Sequence, residues 1–247
     1  MEKEIKIKTK DKHIIYGTFN YKNRNSKKLI IFVHGLTSTR NDHIFFNATK
    51  YFNKHNISVF RFDLYYWGKN GRQLIDCDFK IHAIDIETVV KFFGKKFNKI
   101  YLIGHSLGCP SILFSNIKDI NGIIFWDPSY NLGSSMFKKF FKYNNSLKAY
   151  IMNAGTQTLI SKKLYNQMMD SRSSWSNLAK KILVPFKVIC AGNGVLIKGG
   201  KVYIKNAKGP KNFIIIKGAS HSFDEEGVED KLFSETLSWI KNFDHVK

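Results

Sequence analysis

Apolar and polar residues alternate near the start of the chain, whereas later apolar residues come in short unbroken runs. Residues 4–8 and 14–19 alternate on either side of a polar turn at residues 10–12, which predicts a β-hairpin. Residues 29–33 (LIIFV) and 100–103 (IYLI) are continuously apolar, a pattern typical of strands that are covered on both faces. The pattern therefore predicts a hairpin followed by buried strands.

Helical segments separate these strands. Between residues 79 and 97, apolar residues such as Ile84, Val89 and Phe93 recur at helical spacing. The other predicted helices are 42–55, 106–117 and 228–243, and the other predicted strands are 57–62, 123–126, 186–191 and 213–216. Strands that alternate with helices predict an α/β fold with a mostly parallel central sheet and helices on both faces. A length of 247 residues suits one such domain, or a core with a small insertion.

The segment Gly104-His105-Ser106-Leu107-Gly108 directly follows a predicted buried strand and opens a predicted helix. A serine in this position sits on a tight turn that holds its hydroxyl clear of the sheet. The flanking glycines remove side chains that would block the close approach of strand and helix, and the helix N-terminus directs backbone N–H groups at the reacting oxygen. An ordinary glycine-flanked turn is the alternative, but the strand-to-helix context favours a nucleophile at Ser106.

Two other segments supply the groups that such a nucleophile needs. Residues 33–36 (VHGL) end an earlier strand. In folds with this elbow, that loop gives one backbone N–H of the oxyanion hole, and the residue after the nucleophile gives the other. We therefore expect donors at the backbone amides of Leu36 and Leu107, with His34 bracing the loop. His221, on the loop after the last predicted strand, can reach over the sheet edge as the catalytic base, in the chain order serine, acid, histidine.

Together these segments resemble the α/β-hydrolase superfamily, and most closely small serine esterases of the monoacylglycerol-lipase, lysophospholipase and cinnamoyl-esterase type. The resemblance runs from about Lys28 to the C-terminus. It is carried by residues 34–35 (HG), 61–64 (RFDL), the elbow at Ser106 and residues 218–221 (GASH). It implies an α/β-hydrolase fold and the hydrolysis of an ester, thioester or amide through an acyl-serine intermediate. It implies no particular substrate.

The catalytic acid is where the chain departs from this family. Members usually carry it a few residues after the strand that here ends at Ala191, but residues 192–196 (GNGVL) contain no carboxylate. Another position known for the acid in this fold follows the preceding strand, where Asp127 stands before Pro128. We expect Asp127 to be the triad acid. The alternatives are that Asp127 only begins a turn, as Asp-Pro often does, or that Asn193 takes the acid's place in a weak or inactive enzyme.

A second departure from the family lies at residues 64–71 (LYYWGKNG). They are bulkier and more aromatic than the Gly-x-Gly turn that is usual there. Two interpretations are open: the segment is a wall that faces the substrate, or it is a packed loop.

Residues 130–181 lie where the family inserts a lid, and they include apolar side chains such as Phe137, Phe140 and Met168. We expect an α/β-hydrolase core at 1–129 and 182–247, with a lid or cap insertion at 130–181 before the penultimate strand. We expect this insertion to be largely helical and to overhang Ser106. A mobile apolar cover would suit a hydrophobic acyl group, although an ordinary packed insertion also needs apolar residues.

The formal net charge of +21 would attract phosphates or anionic lipid. However, only five of the 40 basic residues are arginines, the residue whose planar fork reads bases and phosphates. The abundance of lysine, isoleucine, asparagine and phenylalanine is also the usage expected of an AT-rich genome. We therefore expect no nucleic-acid partner, while a weak association with an anionic membrane surface stays open.

Cysteine usage and the absence of targeting segments predict the compartment. Cys77, Cys109 and Cys190 are odd in number and lack paired metal-ligand spacing, so we expect free thiols in a cytoplasmic protein. No histidine pair has convincing metal-ligand geometry, and we expect neither a metal nor a cofactor. The N-terminus lacks the apolar stretch of a secretory signal. The chain has no run of about 18 apolar residues, so we expect no membrane-spanning helix.

Three functions are compatible with these residues. The first is hydrolysis of a carboxylic ester through an acyl-Ser106 intermediate, with a small-molecule acyl or lysolipid-like ester as substrate. The second is a thioesterase or acyltransferase that uses the same triad. The third is a catalytically degenerate hydrolase fold that serves as a binding module.

Overall fold

The structure of the protein is a computed structural model that describes residues 1–116, 118–130, 132–154 and 156–243. Strands alternate with helices along these residues, as the sequence predicts. The strands are β1 (Glu2–Lys8), β2 (Ile14–Asn20), β3 (Lys28–Val33), β4 (Ser58–Phe62), β5 (Lys99–His105), β6 (Gly122–Trp126), β7 (Phe141–Asn144), β8 (Ala149–Ala154), β9 (Thr156–Ser161), β10 (Phe186–Ala191) and β11 (Lys211–Ile216). The helices are α1 (His43–Lys54), α2 (Phe79–Gly94), α3 (Gly108–Leu113), α4 (Ser135–Lys138), α5 (Lys162–Met169), α6 (Ser171–Ala179), α7 (Ile197–Asn206) and α8 (Val228–Asn242).

The central sheet has eight strands in the order β1-β2-β4-β3-β5-β6-β10-β11. The pairs β1–β2 and β2–β4 are antiparallel, and the other pairs are parallel. The predicted hairpin and the mostly parallel sheet are therefore confirmed. Because the carboxyl ends of parallel strands meet at one edge of a sheet, the loops that follow β3, β5, β6, β10 and β11 come together there.

Helices cover both faces of this sheet, which explains why its strands are apolar without alternation. On one face, α1 and α8 pack through buried residues such as Phe45 and Leu232. On the other face, α2, α3, α6 and α7 pack through residues such as Ile86 and Trp175. In the described ranges, no helix is both long and apolar enough to cross a bilayer.

The helix after the nucleophile segment is shorter than predicted. It begins at Gly108 and ends at Leu113, whereas the predicted end near residue 117 falls outside the described residues. The Ser115 hydroxyl donates a hydrogen bond of 2.6 Å to the carbonyl oxygen of Ile112. Such a bond competes with the backbone bonds that would continue the helix.

One helix, α7, is not predicted from the sequence at all. Gly199 and Gly200 lie inside it and weaken any helical pattern. They permit close packing, because a Cβ on Gly199 would lie 2.3 Å from the Cβ of Tyr130, and one on Gly200 would lie 2.4 Å from the Sγ of Cys190. Tertiary packing therefore overrides local propensity at this helix.

The insertion at 130–181 leaves the sheet after β6 and returns at β10, the penultimate strand. The expectation that it is largely helical is wrong, because β7, β8 and β9 form a three-stranded antiparallel sheet between α4 and α5. Residues 156–161 (TQTLIS) are rich in β-branched side chains, which favour strands. Residues 131 and 155 of this segment lie outside the described residues.

A buried histidine links α2 to the helix that follows the nucleophile turn. His82 is 1% exposed, and its Nδ1 lies 3.3 Å from the hydroxyl oxygen of Ser111 on α3. Burial lowers the pKa of His82 from 6.5 to about 3. The folded chain therefore keeps this histidine neutral at pH values where the unfolded chain protonates it.

We predict that His82 destabilises the protein in acid. Between pH 6.5 and about 3, the unfolded state binds a proton that the folded state excludes, so the free energy of unfolding falls as the pH is lowered. The contribution is up to about 1.4 kcal/mol per pH unit. In urea unfolding at several pH values within this window, His82→Leu should show a shallower pH slope than the wild type. His55→Leu, at an exposed position, should keep the wild-type slope, and an unchanged slope in His82→Leu would contradict the prediction.

Candidate active site

Ser106 follows the end of β5 in a tight turn. Its φ of 53° lies in the left-handed region, which residues other than glycine rarely adopt. Two residues later, a Cβ on Gly108 would lie 2.1 Å from the carbonyl oxygen of Val33, so this position requires glycine. The Ser106 amide donates to the carbonyl oxygen of Trp126 at 3.1 Å, which ties the turn to the end of β6.

The structure brings Ser106, His221 and Asp127 together at the carboxyl edge of the sheet. The Nε2 of His221 lies 2.9 Å from the Oγ of Ser106, and its Nδ1 lies 2.6 Å from the Oδ2 of Asp127. Asp127 is fully buried, whereas the His221 side chain is 45% exposed. A buried carboxylate accepts hydrogen bonds, so His221 donates from Nδ1 and leaves Nε2 to accept the hydroxyl proton of Ser106.

The second oxygen of Asp127 is also bonded. Its Oδ1 accepts a hydrogen bond of 3.1 Å from the amide of Ala191, at the end of β10. Asn193, the alternative to an acid, instead donates its side-chain amide to the carbonyl oxygen of Gly218 at 2.9 Å. A Cβ on Gly194 would lie 3.3 Å from Oδ2 of Asp127. The Asp127 carboxylate thus reaches the loop where the sequence lacks an acid.

The comparisons with known proteins bear on the fold. No protein-family model matches the chain, and no curated protein matches it either. Est1E from Butyrivibrio proteoclasticus, solved with ferulic acid bound, is 18% identical, with a TM-score of 0.77 over 96% of this chain and 99% of that one. The α/β hydrolase GrgF from Penicillium sp. sh18 is 17% identical, with a TM-score of 0.78 over 98% and 99%. The esterase Pf2001 from Pyrococcus furiosus is 18% identical, with a TM-score of 0.71 over 98% and 93%.

The chain has the α/β-hydrolase fold. At these identities the likeness establishes the fold alone. The order of Ser106, Asp127 and His221 along the chain follows the order serine, acid, histidine that α/β-hydrolases use. Asp127 follows β6, which pairs with β5, the strand that precedes Ser106.

His105 is a site residue that the sequence does not reveal as one. Its Nε2 donates to the carbonyl oxygen of His221 at 2.9 Å, and the two imidazole rings lie 4.8 Å apart. Burial, and then the neighbouring His221, lower the pKa of His105 to about 3, so it remains a neutral donor. The only sequence signal is its place inside the nucleophile segment, because its partner lies more than a hundred residues away.

Ser129 is a second such residue. Its Oγ lies 3.3 Å from the Oγ of Ser106, and its carbonyl oxygen accepts a 2.6 Å hydrogen bond from the hydroxyl of Tyr203 on α7. The unpredicted helix therefore helps to hold a hydroxyl next to the nucleophile. The position of Ser129 close after Asp127 in the sequence is the signal that could have indicated this residue.

The loop after β3 lies against the nucleophile, as the sequence predicts. A Cβ on Gly35 would lie 3.0 Å from the Cβ of Ser106. His34 braces this loop, since its Nδ1 donates to the carbonyl oxygen of Gly35 at 2.8 Å and its Nε2 accepts from the amide of Leu64 at 2.9 Å. Burial lowers the pKa of His34, which keeps it in the neutral form that can both donate and accept.

A cavity of about 200 Å³ opens at Ser106. Leu36 and Leu107, the expected oxyanion residues, line it on the core side. The insertion supplies the apolar remainder of the wall, namely Leu132, Phe137, Phe140, Phe141, Met152 and Met168. Across the residues that the structure describes, no cluster of three or more histidine, cysteine or carboxylate side chains could hold a metal ion.

We predict that His105 positions the base. His105→Ala removes the hydrogen bond to the His221 carbonyl, so His221 keeps its contact with Asp127 but loses a second contact that fixes its imidazole toward Ser106. The rate at which a fluorophosphonate probe labels Ser106 should fall by about 100-fold, while the unfolding midpoint reports on folding. His105→Gln, which keeps an amide donor, should recover part of the rate, and His55→Ala should leave it unchanged. Equal labelling rates in the wild type and His105→Ala would refute this role.

Proposed function

We propose that the protein is a serine hydrolase that cleaves carboxylic esters through an acyl-Ser106 intermediate. The observation that carries this proposal is the hydrogen-bonded series from Ser106 through His221 to Asp127, in which both hydrogen bonds are shorter than 3 Å. Such a series is what nucleophilic catalysis by a serine requires. The esterases among the structural neighbours support the same reaction class.

The geometry supports a two-step reaction. Ser106 Oγ attacks the ester carbonyl while His221 Nε2 takes its proton, and His221 then gives this proton to the leaving alcohol. Water repeats the sequence on the acyl-enzyme and releases the acid. Asp127 holds His221 in the required tautomer and stabilises the imidazolium that forms.

The backbone amides of Leu36 and Leu107 are the proposed oxyanion donors. Both residues line the cavity that contains Ser106. Each donor of this kind lowers the barrier by about 2.7–4 kcal/mol in enzymes where it has been removed. His34 then serves the hole indirectly, because it fixes the Gly35 carbonyl group and with it the orientation of the following amide.

The cavity at Ser106 suits an uncharged acyl group. Its insertion wall is made of leucine, phenylalanine and methionine side chains, and its volume is that of roughly seven water molecules. We infer a short or medium acyl chain, with residues 130–181 acting as the lid over it. A long lysolipid chain would have to leave this cavity or displace part of the insertion.

Labelling and hydrolysis test the proposal directly. A fluorophosphonate probe should modify Ser106, located by mass spectrometry, and p-nitrophenyl butanoate should be hydrolysed. Ser106→Ala should lose both, because the nucleophile is absent, whereas Ser222→Ala is a matched control one residue from His221 and should retain both. A folded wild-type protein that is neither labelled nor active would favour the degenerate binding module.

The identity of the acid gives a second prediction. Asp127→Asn should fold but lose turnover by about 10⁴-fold, as when a triad acid loses its charge. Asn193→Asp should change turnover far less, since the Asn193 side chain bonds to Gly218 and Asp127 already serves the base. Steady-state kinetics on the same ester measure both. Near-normal turnover in Asp127→Asn would overturn the assignment.

A further inference from the structure

The aromatic segment at residues 64–71 forms one wall of a second, larger cavity. This cavity has a volume of about 610 Å³, and Tyr65, Tyr66 and Trp67 contribute to its lining. Trp67 is 91% exposed, although burying an indole is strongly favourable. Other parts of the segment are packed, since Leu64 is buried and the Tyr66 ring contacts Tyr16, but Trp67 is not, and its flat face is free to contact a ligand.

The second cavity adjoins the first along the loop after β3. Thr37 and Ser38 line it, directly after Leu36, which lines the cavity at Ser106. The Tyr65 hydroxyl also donates to the carbonyl oxygen of Gly35 at 3.3 Å. A substrate that reacts at Ser106 could thus extend past this loop toward Trp67.

The small sheet of the insertion spans both cavities. Phe141, Met152 and Thr158 are paired in register across β7, β8 and β9, and residues paired in this way point to the same face. Phe141 and Met152 line the cavity at Ser106, whereas Thr158 lines the larger cavity. The small sheet therefore contributes side chains to both cavities, and its strand β9 lines the larger one through Gln157, Thr158 and Leu159.

The charges of the lining residues indicate that the larger cavity binds a neutral group. Among its described lining residues there is no carboxylate, so a cation would find no ion-pair partner there. The single charged one is Arg72, and its guanidinium is already held by Asp85 and Asp11 through hydrogen bonds of 2.5–3.1 Å. An anionic group would find this charge already neutralised.

The remaining polar side chains of the lining are amides and hydroxyls. Gln73, Gln157 and Thr158 line the same cavity as the aromatic residues, and Gln157 is exposed. Amides and hydroxyls bond the hydroxyl groups of a neutral ligand, while a flat aromatic face packs against apolar C–H groups. A sugar ring presents both kinds of group, and a plain aryl ring presents only the second.

We propose that the larger cavity binds a sugar ring and that the substrate is an acyl ester of a sugar. This deepens the proposed function and rests on it. The acyl group occupies the cavity at Ser106, and the sugar is the leaving alcohol. Ser106 Oγ forms a bond to the acyl carbon, the bond from that carbon to the sugar oxygen breaks, and the proton of Ser106 passes through His221 to the sugar hydroxyl.

The test compares esters that share one acyl group. The full chain is assayed with a butanoyl ester of methyl glucoside, with ethyl butanoate and with phenyl butanoate. Trp67→Ala should lower kcat/KM for the sugar ester by about tenfold or more and leave the other two within about twofold. Trp67→Tyr, which keeps a ring, should recover most of the loss. Ile84→Ala, which truncates a half-exposed apolar side chain on α2, is the matched control and should change nothing.

Two outcomes would overturn the sugar site while the proposed function stands. An equal loss on the sugar and ethyl esters would mean that Trp67 acts on the common acyl step, and an equal or larger loss on the phenyl ester would mean an aryl subsite. Methyl glucoside should also inhibit ethyl butanoate hydrolysis competitively, less so in Trp67→Ala. If no ester is hydrolysed and Ser106 is not labelled, the proposed function itself fails, and the sugar ester with it.

Discussion

A fully buried carboxylate organises this end of the molecule. Removing a charge from water is costly unless its oxygens are hydrogen-bonded, and Asp127 meets this requirement with the Ala191 amide on one oxygen and His221 on the other. The first bond ties β6 to β10, and the second draws the loop after β11 over the sheet edge. Both strands and the insertion between them must therefore be in place before the imidazole faces Ser106. The orientation of the base is a consequence of satisfying one buried acid.

The same dependence explains what the sequence could and could not predict. The central strands were predictable because coverage on both faces leaves a local signature of unbroken apolar residues. The contact between Asp127 and His221 was predictable, because the stretch after Ala191 lacks a carboxylate and another position known for the acid in this fold follows β6. The bond from His105 to His221 joins residues that are distant in the chain, so no local pattern contains it. Helix α7 was missed because its formation depends on packing against Tyr130 and Cys190. The small sheet of the insertion was missed because its formation depends on pairing between strands.

The small sheet of the insertion contributes to the walls of both cavities. In a strand, residues paired across neighbours share a face, so one row of the small sheet reaches from the nucleophile to the aromatic wall at Trp67. Its side chains change along that row from phenylalanine and methionine to threonine. The sheet thus presents an apolar surface over the cavity at Ser106, and both polar side chains and Leu159 over the neighbouring cavity. The high lysine content plays no part in either cavity wall, since neither is lined by lysine among the described residues.

Backbone strain marks the same edge of the sheet. Thr37, Ser106, Asp127 and Phe223 all have positive φ, and they lie in the loops after β3, β5, β6 and β11. Each such residue costs about 1–3 kcal/mol and persists only where its surroundings hold it. Positive φ also occurs elsewhere in the described chain. It is found at Asn56 and Asn70, a residue type that accepts this conformation readily in turns, and at Lys12 and Lys148, in the turns between β1 and β2 and between β7 and β8. Four strained positions lie in four separate loops at the edge of the sheet where Ser106, Asp127 and His221 meet. The buried core on both faces of the sheet supplies the stability that offsets their cost.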